Sequence, residues 1–210
     1  IIFLELMSFV KTICAHNPGT PWKSERAFAA VKVDGTVVTW GTSSAPDGLT
    51  LTNVQTIFST LYAFACLKTD GSVIAWGDSS YGGTAPSGIT NVKFIYSTSA
   101  AFACLKTDGS VLAWGDTTRG GNAPSGLTNV QTIFSNGYAF VCLITDGSVV
   151  AFGDTEYGGI APSGLSNVLT IFSTSGAFAC LKTDRSVVAW GRSNYGGDAP
   201  SELTNVQTIF

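Results

Sequence analysis

The sequence predicts an all-β repeat protein, a β-propeller or an open arc of one, built from about five 38-residue, three-stranded antiparallel units. Three observations carry that prediction. A hairpin phrase recurs at residues 63–76 (AFACLKTDGSVIAW), 101–114 (AFACLKTDGSVLAW), 139–152 (AFVCLITDGSVVAF) and 177–190 (AFACLKTDRSVVAW), with a looser copy at 27–40 (AFAAVKVDGTVVTW). An A-P-x-G-(L/I)-(T/S)-N-V phrase, or a variant of it, leads into an apolar run in the connecting segments. The hairpin strands are apolar on both faces, so each small sheet must be covered on both sides, as in a radial stack. A parallel β-helix also stacks repeats, but its coils are shorter and carry no tight antiparallel hairpin.

The elements follow in order. Residues 54–58 (VQTIF) form a β-branched and aromatic run bounded by turn residues, which reads as a strand. Residues 63–68 and 72–76 are two more strands. Between them, Asp70-Gly71 suits the positive φ angles of a two-residue type I′ turn. In that register Leu67 faces Ile74, Ala65 faces Trp76 and Phe64 faces Gly77, setting large side chains opposite small ones. In the last copy Arg185 takes the turn glycine's place, which costs on the order of 1 kcal/mol. In the fourth copy Phe152 replaces the tryptophan and Ile144 the lysine, changes that an apolar interface absorbs.

Residues 10–14 (VKTIC) and 206–210 (VQTIF) match the first strand of a unit again, so there are more first strands than hairpins. We therefore expect a single repeat domain over 1–210 that begins and ends inside a repeat, as a piece of a longer array would. Its divisions are a partial repeat at 1–26, repeats at 27–62, 63–100, 101–138 and 139–176, and an incomplete last repeat at 177–210. Residues 17–24 (NPGTPWKS) are an insertion relative to the other strand-to-hairpin connections.

Charged residues make up only 12% of the chain and the formal net charge is -3, with no basic stripe to neutralise phosphates, so no nucleic-acid partner is expected. The longest apolar run, at the start, contains Glu5 and Lys11 and falls short of a membrane span. It also lacks the features of a secretory signal. Four of the five cysteines, Cys66, Cys104, Cys142 and Cys180, occupy one repeat position. Equivalent places on packed sheets stand about 10 Å apart, beyond disulfide reach, so these read as free core thiols and point to the cytoplasm. A metal site is not expected, because paired C-x-x-C spacing is missing and His16 is the single histidine. Nor is a catalytic or cofactor site. Asp34, Asp70, Asp108, Asp146 and Asp184 are hairpin-turn residues, and Asp78, Asp116 and Asp154 read as Asx-turn residues in a set that Thr42 and Arg192 break.

The phrases at 67–77 (LKTDGSVIAWG) and 81–83 (YGG), followed by a proline and a V-x-x-I strand, resemble the regulator of chromosome condensation (RCC1) repeat family. That family shares an A-L-x-x-D-G-x-V-x-x-W-G core and a downstream x-G-Q-L-G phrase. Here the latter is reduced to Gly-Gly and the unit is short, in which respect the chain is more similar to the bacterial secreted propeller that inhibits β-lactamases. The resemblance runs from Ala27 onward and implies a propeller, usually of seven blades in the family. Five hairpins would then form an open arc whose end faces expose residues such as Trp40 or Trp190, Phe178 and Val188, and the segment would self-associate through them.

For function, the contrast between copies matters most. Core positions repeat, whereas two loop sets vary, one carrying Tyr81, Arg119, Tyr157 and Tyr195 and the other Tyr62 and Tyr138. Tyrosine and arginine dominate interface energetics. The expected function is therefore a non-catalytic module that presents rim loops to a protein partner. The resemblance implies two alternatives, guanine-nucleotide exchange on a small GTPase and inhibition of an enzyme.

Overall fold

The computed structural model describes residues 10–14, 27–41, 45, 49, 51–201 and 203–210. The insertion at 17–24 and His16 lie outside the described residues. Five three-stranded antiparallel sheets follow one another along the chain. They comprise β1 (Val10–Cys14), β2 (Ala27–Lys32) and β3 (Val37–Gly41); β4 (Val54–Ser59), β5 (Ala63–Lys68) and β6 (Val73–Gly77); and β7 (Val92–Ser97), β8 (Ala101–Lys106) and β9 (Val111–Gly115). The last two sheets are β10 (Val130–Ser135), β11 (Ala139–Ile144) and β12 (Val149–Gly153), then β13 (Val168–Ser173), β14 (Ala177–Lys182) and β15 (Val187–Gly191). Each sheet joins a first strand to the hairpin that follows it.

The hairpin turn differs from the sequence reading, and the difference moves the register by one residue. Gly71 donates to the Lys68 carbonyl at 3.0 Å and Lys68 donates to the Ser72 carbonyl at 2.9 Å, closing a three-residue loop. Gly71 has φ +77° while Asp70 does not take positive φ, so this is a type I turn followed by a left-handed bulge residue, not a type I′ turn. The aspartate keeps φ negative, and its Oδ1 accepts from the Ser72 amide at 2.9 Å and the Ser72 hydroxyl at 2.6 Å. Arg185, the glycine's replacement in the last hairpin, takes φ +63°.

Leu67 therefore faces Val73, Cys66 faces Ile74, Ala65 faces Ala75 and Phe64 faces Trp76. The expected pairing of large with small side chains is overturned, since a one-residue shift moves each side chain of a strand to a new partner. Phe64 and Trp76 instead stack at 5.3 Å, and the pairs Phe102–Trp114 and Phe178–Trp190 do the same at 5.4 and 5.6 Å.

This register gives every sheet two unlike faces. One carries the Phe and Cys of the hairpin with its Trp, or Phe152 in the fourth sheet, and in the second to fifth sheets packs on the preceding sheet, as Phe64, Cys66 and Trp76 pack on Ala27, Ala29 and Val31. The other carries small residues and Leu and receives the following sheet, as Ala63, Ala65 and Leu67 receive Phe102, Cys104 and Trp114. The same arrangement joins the third sheet to the fourth and the fourth to the fifth. Burying one such aromatic contributes roughly 1.5–3 kcal/mol, with a further 0.5–1.5 from the stacked pair. Phe178 and Trp190, expected on an open end face, are 1% and 6% exposed, because their face points back onto the fourth sheet. Trp40 is 46% exposed.

Backbone hydrogen bonds stitch neighbouring sheets together. Asn53, Asn91, Asn129 and Asn167 all take φ between +56° and +59°, a region that asparagine tolerates. Each turns its own carbonyl toward its unit's hairpin, as Asn53 accepts from Thr69 at 2.9 Å. The valine that follows donates back to the preceding hairpin, as Val92 does to Gly71 at 3.0 Å and Val206 to Arg185 at 3.1 Å. Residues 206–210, expected as a strand, form none. Among the described residues no further hairpin stands beside them to complete a ladder.

Cys66, Cys104, Cys142 and Cys180 are free thiols, each with 0% exposure. Burial pushes the Cys66 and Cys104 thiols up to about 11 and the Cys142 thiol to about 12, and raises Cys180 too.

Candidate interaction face

After the last strand of each of the last four sheets the chain makes a single 3-10 turn: Ser79–Tyr81, Thr117–Arg119, Thr155–Tyr157 and Ser193–Tyr195. Asp78, Asp116 and Asp154 cap the first three by accepting from the backbone amide two residues on, at 2.9, 2.8 and 3.0 Å. A left-handed glycine ends each turn, and it has to be glycine where the next sheet arrives. A Cβ on Gly82 would stand 2.7 Å from the Phe102 ring, and one on Gly120 would stand 2.5 Å from the Phe140 ring. The carbonyl of that glycine accepts a bond from the next unit's tryptophan in two of the units. Trp114 Nε1 donates to the Gly82 carbonyl at 2.9 Å and Trp190 Nε1 to Gly158 at 3.1 Å.

These turns sit beside the loops that follow the first strands, and a polar side chain ties each pair together. Thr60 Oγ1 donates to the Tyr81 carbonyl at 2.9 Å, Thr98 Oγ1 to Arg119 at 3.0 Å, Asn136 Nδ2 to Tyr157 at 2.7 Å and Thr174 Oγ1 to Tyr195 at 2.8 Å. Neighbouring units are joined at the same level by backbone bonds, Leu61 to Ser99 at 3.0 Å, Ser99 to Gly137 at 3.0 Å and Gly137 to Ser175 at 3.4 Å. The two variable loop sets thus form one rim.

On that rim the residues singled out from sequence lie in two groups. Tyr62 and Tyr81 meet edge to face at 4.6 Å. The second group runs through the third, fourth and fifth units. The Arg119 guanidinium lies over the Tyr138 ring at 5.1 Å, and Tyr138 stacks on Tyr157 at 4.0 Å with 26° between planes. Tyr157 and Tyr195 are tilted neighbours at 6.4 Å.

Sequence reasoning missed Arg192 as a member of this group. Its guanidinium lies over Tyr157 at 5.1 Å and Tyr195 at 5.8 Å, donates to the Tyr157 hydroxyl, and pairs with Glu156 at 3.2 Å. The available signal was its place in the chain, because it occupies the position where the other units have the capping aspartate. The last turn consequently has no side-chain cap.

Both arginines are held rather than free to sweep. Arg119 donates to Ser99 Oγ at 2.8 Å and lies 3.8 Å from Asp116, while Ser99 Oγ in turn donates to the Gly137 carbonyl at 2.6 Å. Side chains fixed before a partner arrives lose less entropy on binding. Among the described residues no group of three or more His, Cys, Asp or Glu could hold a metal ion.

Neither a protein-family model nor a curated protein sequence matches the chain. Solved structures do. Prp20p from Saccharomyces cerevisiae, described with its binding to Gsp1p and histones, is similar at 15% identity and TM-score 0.54, over 87% of this chain and 60% of that one. A structure of Kap60 bound to the same yeast RCC1 protein gives 16% identity and TM-score 0.55, over 88% and 59%. The fold is an RCC1-like propeller array. The RCC1-like arrangement also extends to the ectodomain of the Physcomitrella patens receptor kinase CR4, at 17% identity and TM-score 0.56, over 82% of this chain and 49% of that one. The chain spans about half to three-fifths of the length of these structures. At such identities the RCC1-like likeness is one of fold.

Proposed function

We propose that this protein is a non-catalytic interaction module whose rim binds a protein partner through Tyr138, Tyr157 and Tyr195 with Arg119 and Arg192. The observation that carries this reading is the Tyr138–Tyr157 stack, flanked by a guanidinium on each side. It offers large, half-buried aromatic area with polar tips, the composition of interface hot spots. The partner is a protein rather than a nucleic acid on this reading, because both rim cations already face carboxylates, Asp116 and Glu156. Tyr62 and Tyr81 extend the same rim and belong to its periphery. That Prp20p binds Gsp1p and histones, and is itself bound by Kap60, supports a protein-binding role for an array of this kind.

The test is a photo-crosslinker placed at position 195, next to the stack, followed by affinity measurement with the partner so identified. Replacing Tyr138, Tyr157 and Arg119 together with Ser should weaken binding by at least about tenfold, the range expected for a central cluster. Substitutions at the far hairpin turn, such as Asp108→Ser, should leave binding unchanged. Equal affinity of the rim triple variant and the native protein would refute the assignment.

A further inference from the structure

We infer, on the reading of the rim as the binding surface, that Ser99 is its positioning residue, a buried hydroxyl that holds both members of the Arg119–Tyr138 pair in place.

Ser99 is 1% exposed, so a partner seated on the rim does not reach its side chain. Its Oγ accepts from Arg119 Nη1 at 2.8 Å and donates to the Gly137 carbonyl at 2.6 Å. A hydroxyl carries one proton. With that proton given to Gly137, the lone pairs are left for the guanidinium, and the bond they accept is charge-assisted. The other side-chain contacts of Arg119 restrain it less. Asp116 stands 3.8 Å away, and the two side chains are 35% and 34% exposed, open to solvent screening. The Tyr138 ring, 5.1 Å from the guanidinium carbon, fixes the cation's height above the ring but not its rotation over it.

The second hydroxyl bond reaches the ring itself. Gly137 immediately precedes Tyr138, and its carbonyl belongs to the peptide group that joins them. The hydroxyl that holds the cation therefore also holds the backbone from which the ring projects. Cation and ring come from different units, Arg119 from the turn after the third sheet and Tyr138 from the loop before β11. This combination occurs once among the four units that carry the turn. In place of Ser99 the others have Leu61, Gly137 and Ser175, and in place of Arg119 they have Tyr81, Tyr157 and Tyr195. Ser175 offers a hydroxyl, but its unit's turn ends in a tyrosine.

Ser99→Ala removes both hydroxyl bonds and spares the backbone amide at 99, which donates to the same Gly137 carbonyl at 3.0 Å, so the junction between units persists. Two measurements on the whole chain test the role. In nuclear magnetic resonance spectra without any partner, the Arg119 δ protons should lie upfield of their ordinary position because the Tyr138 ring shields them. Ser99→Ala should return them toward that position, as Tyr138→Ser does, with little change in melting temperature. With the partner captured by the crosslinker at position 195, Ser99→Ala should weaken binding roughly threefold to tenfold, the cost of ordering one side chain. In an Arg119→Ala background it should have no further effect. An upfield shift that persists in Ser99→Ala overturns the inference. So does an equal loss of affinity in both backgrounds, which assigns Ser99 to the fold, or unchanged affinity for Ser99→Ala beside weakened binding by the rim triple variant. If the shift collapses while the triple variant binds as the native protein does, the rim reading fails and Ser99's hold on the pair stands.

Discussion

Tyr138 and Tyr157 belong to different variable loops, yet their rings stack 4.0 Å apart. The stack makes the two loop sets one surface, so neither can be assigned a partner independently of the other. Because Asn136 bonds to the Tyr157 carbonyl through its side chain, the backbone under the stack is held by contacts that do not involve the rings. Replacing both tyrosines with Ser should therefore remove partner binding while the circular dichroism spectrum and melting temperature change little. A fall in melting temperature equal to that of a core substitution would assign the stack to the fold instead.

Arg185 gives a second prediction. Its φ of +63° is a left-handed conformation that glycine adopts without penalty. Arg185→Gly should stabilise the protein by about 1 kcal/mol, and Gly109→Arg, at φ +78°, should destabilise it by a similar amount. Chemical denaturation of both variants checks this, and unchanged midpoints would discredit the turn geometry.

The four core thiols make the protein sensitive to alkali. Their folded pKa values are raised by burial, so the unfolded state loses these protons first as pH rises. Stability from these groups is complete below the ordinary thiol pKa, about 8.5, and declines as pH climbs toward the folded values, near 11 for Cys66 and Cys104 and about 12 for Cys142. Denaturation midpoints should fall over that window, and Cys142→Ala should flatten the fall. In the native protein at neutral pH these four thiols should react slowly with a thiol reagent and rapidly once unfolded. Immediate modification of all four in the folded state would contradict their burial.

Gly120 should tolerate no side chain. A Cβ there would lie 2.5 Å from the Phe140 ring at a φ of +96°, so Gly120→Ala combines overpacking with backbone strain. We expect a loss of roughly 2–4 kcal/mol, summing about 1–3 for the clash and about 1 for the strain. Gly126→Ala is the control, because it has a φ of +76° but nothing within 4 Å of its Cβ, and should cost only the strain. Equal losses for the two would show that the ring makes no difference.

The repeat length, the three strands and the need for cover on both sheet faces could all be read from the spacing of the hairpin phrase and its two-sided apolarity. The register could not. Asp-Gly serves both the two-residue turn and the three-residue turn with a bulge, and the bonds that Asp70 Oδ1 accepts from Ser72, with the backbone bonds that close the loop, decide between them. That one residue determines whether Trp76 faces Ala65 or Phe64. Asn53 and its equivalents, held at positive φ, looked like ordinary loop residues because the bonds that fix them come from other parts of the chain. On the rim, the tyrosines and Arg119 stood out as aromatic and basic residues in variable loops. Arg192 did not, because its partners Tyr157 and Glu156 come from the preceding unit's turn, a proximity set by the stacking of sheets.

The valine-to-hairpin bonds also bear on how such a chain changes length. Each bond between sheets joins a group in one unit to the equivalent neighbour in the next, as Val92 to Gly71, Val130 to Gly109 and Val168 to Gly147. A duplication or deletion of one whole unit within the array therefore recreates each of these backbone bonds, and unequal recombination within the gene keeps this ladder intact in whole-unit steps. Rim side chains take no part in these valine-to-hairpin bonds. Copy number and surface chemistry can accordingly drift on separate schedules, in keeping with closely similar hairpin cores lying under loops as unlike as Ser99-Ala100 and Gly137-Tyr138.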